Sequence, residues 1–388
     1  MIDFDKFVKD NISNLQEKGI IKGNIQRPRS IENKSIVYNW SIIGANYSDC
    51  KQINFIDCMC NAGIYKDSTL TTSMRVLQTF IEHAKNYPNK IFNLFLNDYN
   101  KNRVDVIIQL AKEINYEQPK NINIMIDNMD VNNYLDSFNS KYANSYLGYG
   151  AFTILFVDPY NFGTVKIKKI KEFSENNYSE IIFNYFSSDY SRNMNNSFAI
   201  SKIESIKSSM EGVYGYNEQL TEIQVLDLIQ AYFKTSKIKY SFAYQFRTRK
   251  NVPLYNIVYA TPNKKGLEEI KDTFWRVFDG NPFFLNYEEQ EKNLEITQQF
   301  QLFNDKDLNE LSYSKEAQKK LINNYYSMTI SYDDIVIYIL ENTMLRKGQV
   351  IKTVIKPLIY DGKIVKLNKK SIKDYTHDLY SVVGDKDD

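Results

Sequence analysis

The sequence predicts an α/β fold, a mostly parallel sheet wrapped by helices, followed by a smaller and more basic helix-and-strand unit. Three observations predict it. Short apolar, β-branched runs alternate with amphipathic helical stretches between residues 53 and 186. Four successive runs are followed closely by an acid, Asp57, Asp98, Asp130 and Asp158, where open α/β sheets place their ligand crevice. Beyond residue 316 the alternation gives way to helix, helix and strand, with lysine and arginine in excess.

Each element follows from its residues. Residues 1–50 are polar and read as a partly helical lead-in, with a basic piece at Lys22, Arg27 and Arg29. Strands are predicted at 53–57, 91–96, 122–126, 152–157 and 180–186, where Ile, Val and Phe run together. Helices are predicted between them at 70–85, 103–114, 131–138 and 167–173, where apolar residues recur at helical spacing. Residues 187–216 are rich in Asn and Ser and read as a lid or substrate-facing insertion. A helix at 219–233 and two strands at 239–246 and 255–261 follow, the strands joined by the basic turn 247–253. A helix at 267–277 closes this domain, 51–280, and 281–315 reads as a linker. Seven strands with an antiparallel pair at the end match the Rossmann-like sheet of class I methyltransferases.

The tail 316–388 reads as a winged-helix domain: helices at 332–341 and 349–360, the turn Asp361-Gly362, then a short strand at 363–367. Pro357 sits awkwardly in the second helix, which it should kink or shorten. Between Asn342 and Lys373 there are nine Lys or Arg against one acid, Asp361. Arg346, Lys347, Lys352, Lys356, Lys363 and Lys366 are the candidate nucleic-acid contacts, because cations on phosphates dominate such affinity. A solvated face of a structural or dimerising domain reads the same residues differently.

Composition narrows the chemistry. With 388 residues and 43% hydrophobic content the chain can bury a large core. The net charge of +2 requires any nucleic-acid surface to come from local clustering. No apolar run approaches 18 residues and no secretory leader opens the chain, which points to the cytoplasm. Cys50, Cys58 and Cys60 are an odd set that fits a reducing compartment. Two histidines, His83 and His377, are too few for ordinary zinc or iron ligation, and no metal site is expected. No Gly-x-Ser-x-Gly elbow accompanies them, so a serine hydrolase is not indicated.

The stretch Ile154-Leu155-Phe156-Val157 delivers Asp158, Pro159 and Tyr160 at a strand end. Enzymes that methylate exocyclic amines use an Asp-Pro-aromatic edge of this kind. The acid and a nearby carbonyl accept the amine's N–H groups, and the ring stacks on the base. Asp158, Pro159 and Tyr160 are therefore the candidate catalytic residues, although the motif lacks the second proline of the Asp-Pro-Pro-Tyr edge. Asp57 and the turn through Asn61 and Gly63 follow the first strand, where backbone must approach a nucleotide closely. Asn is the residue after glycine most tolerant of positive φ. Asp98 is placed to grip ribose hydroxyls, and Asp130 to hold an adenine amine. S-adenosylmethionine (SAM) is the cofactor that set suggests.

These stretches resemble the three-Cys-motif partner proteins (TcmP). The resemblance rests on 57–63, on Val157 to Tyr160, on Ile182-Phe183-Asn184-Tyr185 and on later stretches around 246–249, 255–261 and 266–275, within residues 50–280. It implies a methyltransferase-like core with a winged-helix tail, paired with a second protein in nucleic-acid modification or phage defence. Asn61 stands where the family pattern has its first glycine and Cys60 where it has alanine; Asn161-Phe162 intervene before Gly163. Three readings remain open: a SAM-dependent methyltransferase acting on an amine of a nucleic-acid base, a non-catalytic nucleotide- or nucleic-acid-binding subunit, and a magnesium nuclease built on the four acids.

Overall fold

A computed structural model describes residues 29–65, 70–114, 119–193, 220–247, 253–278, 305–367 and 378–383, with short pieces at 195, 197, 201, 203, 280–281 and 283–285. The basic lead-in at Lys22 and Arg27, most of the 187–216 insertion, and 248–252 of the basic turn lie outside them. The chain groups into two compact units, Met1–Lys239 with Leu254–Pro262 and Tyr240–Pro253 with Asn263–Asp388. That division falls at the sixth strand rather than at the expected 280.

The first unit alternates as the residues require: α1 (Arg29–Asn46), β1 (Gln52–Asp57), α2 (Thr72–Asn86), β2 (Ile91–Asn97), α3 (Lys101–Ile114), β3 (Ile122–Asp127) and α4 (Val131–Phe138). It continues with β4 (Ala151–Val157), α5 (Ile167–Asn177), β5 (Glu180–Tyr185), α6 (Ser187–Asn193) and α7 (Glu222–Lys234). Strand β7 (Pro253–Thr261) falls almost wholly in this unit, whereas β6 (Tyr240–Arg247) and β8 (Phe283–Leu285) fall in the second. The strand order is β3-β2-β1-β4-β5-β7-β6-β8. β1 lies parallel between β2 and β4, β5 runs parallel to β4, and β7 runs antiparallel to β5. The seven expected strands are all present in the order of a class I methyltransferase sheet. β8 adds an eighth, parallel to β6, inside the stretch expected as a linker.

A ladder of buried amides fixes the register of four strands. Asn93 Nδ2 donates to Asn54 Oδ1 at 2.7 Å, and Asn123 Nδ2 donates to Asn93 Oδ1 at 2.8 Å. Asn54 Nδ2 donates in turn to Thr153 Oγ1 and to the Tyr146 carbonyl. The partners are in register across β3, β2, β1 and β4, so a slip of one residue would strand every amide. The ladder lies in the amino-terminal halves of these strands and sets the register in which their acids follow.

In the second unit, α8 (Lys264–Phe278) buries Leu267, Ile270, Phe274 and Trp275 on one face, and Phe278 stacks on Tyr244 at 4.2 Å. Then come α9 (Asp305–Tyr325), β9 (Thr329–Ser331), α10 (Tyr332–Asn342), a last helix α11, β10 (Ile364–Lys366) and β11 (Leu379–Val382). Helix α9 begins within the expected linker. The last three strands form an antiparallel sheet, β10-β11-β9. Helix α11 starts at Lys347–Val350, widens into a π segment at Ile351–Ile355 and ends at Lys356–Tyr360. Pro357 sits at the start of that last piece. The widened turn before it accommodates the missing N–H, so the helix passes the proline. No described helix is long and apolar enough to cross a membrane.

Candidate active site

The carboxyl ends of β1, β2 and β4 bring three of the predicted acids together. Asp57 closes β1 and is almost fully buried. One of its oxygens accepts the Met59 N–H at 3.1 Å and the other the Ser73 hydroxyl from α2. Burial pushes its pKa up to about 7 against those two bonds, and the charges of Asp158 and Asp98 push it the same way. The turn after it needs left-handed backbone at Asn61 (φ 62°) and Gly63 (φ 81°). A Cβ on Gly63 would also press on Leu110 and Met74 at 3.1 and 3.2 Å. Asn61 meets the same demand because its own Oδ1 accepts the Ala62 N–H.

Asp98 follows β2 and is 3% exposed. It accepts the Asn61 N–H at 3.0 Å on one oxygen and the Asn100 N–H at 2.8 Å on the other. The Arg103 guanidinium stands 3.7 Å away. A carboxylate has about four lone-pair sites, so acceptor capacity remains for a diol. Asn97 braces the crevice from behind, donating to the carbonyls of Cys58 and Met129 and accepting the Met129 N–H.

Asp158 follows β4, and its Oδ1 accepts from Asn184 Nδ2 of β5 at 2.8 Å. Pro159 is buried behind it and Tyr160 is 47% exposed. The Tyr160 hydroxyl bonds Arg103, whose guanidinium also lies 5.3 Å from the ring centre. Burial and the Asp98 charge raise this phenol to about 12 while Arg103 pulls it down, so it stays protonated at neutral pH. Arg103 thus links the acid of β2 to the aromatic of the Asp-Pro-Tyr edge.

Asp130 is placed differently. It caps α4, accepting the N–H groups of Asn132 and Asn133 at 2.9 and 3.3 Å. The acid that actually ends β3 is Asp127, which pairs with Lys141 and accepts the Tyr142 hydroxyl. No group of three or more His, Cys, Asp or Glu among the described residues is placed to hold a metal. The three cysteines are free and buried, and burial raises their thiols.

A cavity of about 290 Å³ opens beside Asp158, lined by Pro159, Phe162, Lys166, Phe183, Asn184 and Phe186 among others. Its aromatic walls are phenylalanines, and Tyr160 lies outside it against Arg103. Sequence reasoning assigned no role to Arg103, Asp127, Phe162 or Asn184. Asn184 was legible only as part of a motif, because an amide inside a strand gives no periodic signal.

The candidate nucleic-acid residues divide. Arg346 is paired with Asp272 at 3.0 Å, Lys347 with Glu268 at 2.9 Å and Lys366 with the buried Asp378 at 2.7 Å. Lys352 and Lys356 are exposed on α11 and Lys363 is half-buried after it, while Tyr360 is 92% exposed.

No family model and no curated protein matches the chain. Among solved structures, protein LPL1258 of Legionella pneumophila aligns at 10% identity over 65% of this chain and 91% of its own, with a TM-score of 0.35. A candidate class I SAM-dependent methyltransferase of Listeria monocytogenes aligns at 10% identity over 68% of this chain and 71% of its own, with a TM-score of 0.32. The fold class rests on the strand order and not on these likenesses.

Proposed function

We propose that the chain is a SAM-dependent methyltransferase acting on an amine of a nucleic-acid base. The observation that carries this reading is the convergence of Asp57, Asp98 and Asp158, close enough for the other two to raise the pKa of Asp57. In this reading Asp57 and the Asn61–Gly63 turn hold the methionine end of SAM. Asp98 accepts its ribose hydroxyls with the capacity left by Asn61 and Asn100. Asp130 or its neighbour Asp127 faces the adenine. SAM, when bound, supplies an electrophilic methyl group. Asp158 orients the target amine by accepting its N–H groups, held in place by Asn184. Pro159 walls the site, and the face of Tyr160 away from Arg103 is the stacking surface for a base taken out of its helix.

The second unit extends the reading. The order helix, strand, helix, helix and two strands closing on β9 supports a winged helix, with α11 as its exposed basic helix. Lys352, Lys356 and Lys363 are its phosphate contacts, flanked by Tyr360. With the TcmP resemblance this describes a cytoplasmic protein that works with a second protein in nucleic-acid modification or phage defence.

One observation favours a non-catalytic nucleotide- or nucleic-acid-binding subunit instead. Arg103 bonds Tyr160 while standing beside Asp98, so it lies between the ribose-binding acid and the Asp-Pro-Tyr edge. Calorimetric titration of SAM into the full chain separates the two. The methyltransferase reading expects micromolar binding that Asp98→Ala abolishes; absence of binding to the folded protein would leave the binding-subunit reading.

A further inference from the structure

Strand β3 ends the sheet, and β2 is its one neighbour among the described residues. The Phe92 N–H donates to the Asn121 carbonyl at 2.9 Å and the Asp98 N–H to the Asp127 carbonyl at 3.4 Å. A parallel ladder uses alternate residues, so Asn123 and Met125 also bond β2. Ile122, Ile124 and Ile126 then turn their N–H and C=O groups outward. The Ile122 N–H is taken by the Pro119 carbonyl at 3.2 Å, and no described residue bonds the outward groups of Ile124 and Ile126. Such a row is a template for another strand. It is also reachable, since Asn123 to Ile126 are only half-buried.

A groove of about 390 Å³ follows this edge, walled by Ile108, Ala111 and Lys112 of α3 and by Tyr146. Tyr146 packs on Phe95, on the face where Asn123 bonds Asn93 and Asp127 bonds Tyr142. The three isoleucines therefore point to the opposite face, toward α3. Natural edges are guarded by charge, proline or a bulge. Ile122 to Ile126 holds no charged residue and no proline, and it pairs with β2 without a break.

We propose that β3 is the interface of a two-fold dimer, in which two copies of the chain pair antiparallel, edge to edge, into one continuous sheet. The stretch Ile122-Asn123-Ile124-Met125-Ile126 is nearly palindromic about Ile124. Centred there, Ile124 meets Ile124 of the second copy, Ile122 meets Ile126, and Asn123 meets Met125. The six isoleucines form one apolar row beside the two α3 helices, as an isologous contact requires. Charge selects the same direction. Among the described side chains, Lys112 and Lys120 are exposed at the amino end of β3, and Asp130 is half-buried beyond its carboxyl end. Antiparallel pairing sets each basic end against the acidic end of the other copy, and parallel pairing would set like against like.

The test is sedimentation velocity of the full-length chain across a dilution series, without SAM or nucleic acid, so its outcome is independent of methyl transfer. A monomer–dimer equilibrium is expected. Ile124→Pro removes an outward N–H and leaves every bond to β2 in place, so it should raise the dimer dissociation constant about tenfold or more. Ile124→Lys should do the same by setting two ammonium groups against each other, and it decides if the proline variant does not fold. Ile124→Cys should crosslink to its own counterpart on oxidation, because the native cysteines are buried. Hydrogen exchange should protect the Ile124 and Ile126 amides in the dimer and release them on dilution. A dimer indifferent to both substitutions overturns the proposal, and so does a chain that stays monomeric at micromolar concentration. Protected amides in that monomer would give the edge to another segment of this chain.

Discussion

Asp57 keeps its proton unusually long for a carboxyl group, and that has a consequence for stability. Its pKa of about 7 lies above that of an unfolded aspartate, so the folded chain binds more protons between about pH 4 and 7. Stability from this group is therefore fullest below the unfolded value and falls as pH rises through 7. Glu180, raised to about 7 by burial against the hydrogen bonds of Tyr259 and Thr261, acts in the same direction. Asp57→Asn should flatten the decline in melting temperature between pH 5 and 7.5, as thermal denaturation across that range would read. An unchanged slope would mean that Asp57 titrates as an ordinary aspartate. Asp98 accepts two backbone N–H groups, from Asn61 and Asn100.

Among the elements, the strands were the most legible and their ends the least. Ile154 to Val157 announces a buried strand by its apolar run, and β4 runs through it. β2 is less obvious, since Asn93 and Asn97 interrupt its apolar residues. Those amides look like errors in a strand until the neighbouring strands supply Asn54, Asn123 and the Cys58 carbonyl. Asn93→Ala would orphan both neighbours and should destabilise the fold by about 2–4 kcal/mol, readable from urea denaturation. A loss below about 0.5 kcal/mol would remove the ladder from the account of register. Asp130 shows the same limit from the other side. An acid before a helical run satisfies both a cofactor site and an N-cap, and sequence spacing does not separate them. β8 was missed because three residues surrounded by polar sequence carry too little period to register.

At the scale of the whole molecule, a near-neutral chain must concentrate its phosphate contacts. Three of six candidate cations are spent on internal pairs with Asp272, Glu268 and Asp378, which burial and salt-bridge geometry explain and sequence position does not. The triple variant Lys352→Ala, Lys356→Ala and Lys363→Ala should weaken nucleic-acid binding about uniformly across sequences. It should also reduce the slope of affinity against salt by roughly 2–3. Substituting Arg346 or Lys347 should instead show up mainly in the stability of the second unit. Equal salt slopes for the triple variant and the wild type would remove α11 as the contact surface.

Methyl transfer is the central claim, and labelled SAM tests it most directly. The full chain, with single-stranded DNA or RNA and radiolabelled SAM, should move label onto an amine of a base. Asp158→Asn should abolish that transfer while leaving nucleic-acid binding nearly unchanged. Transfer that survives in Asp158→Asn, or its absence with SAM and nucleic acid both bound to the wild type, would contradict the account.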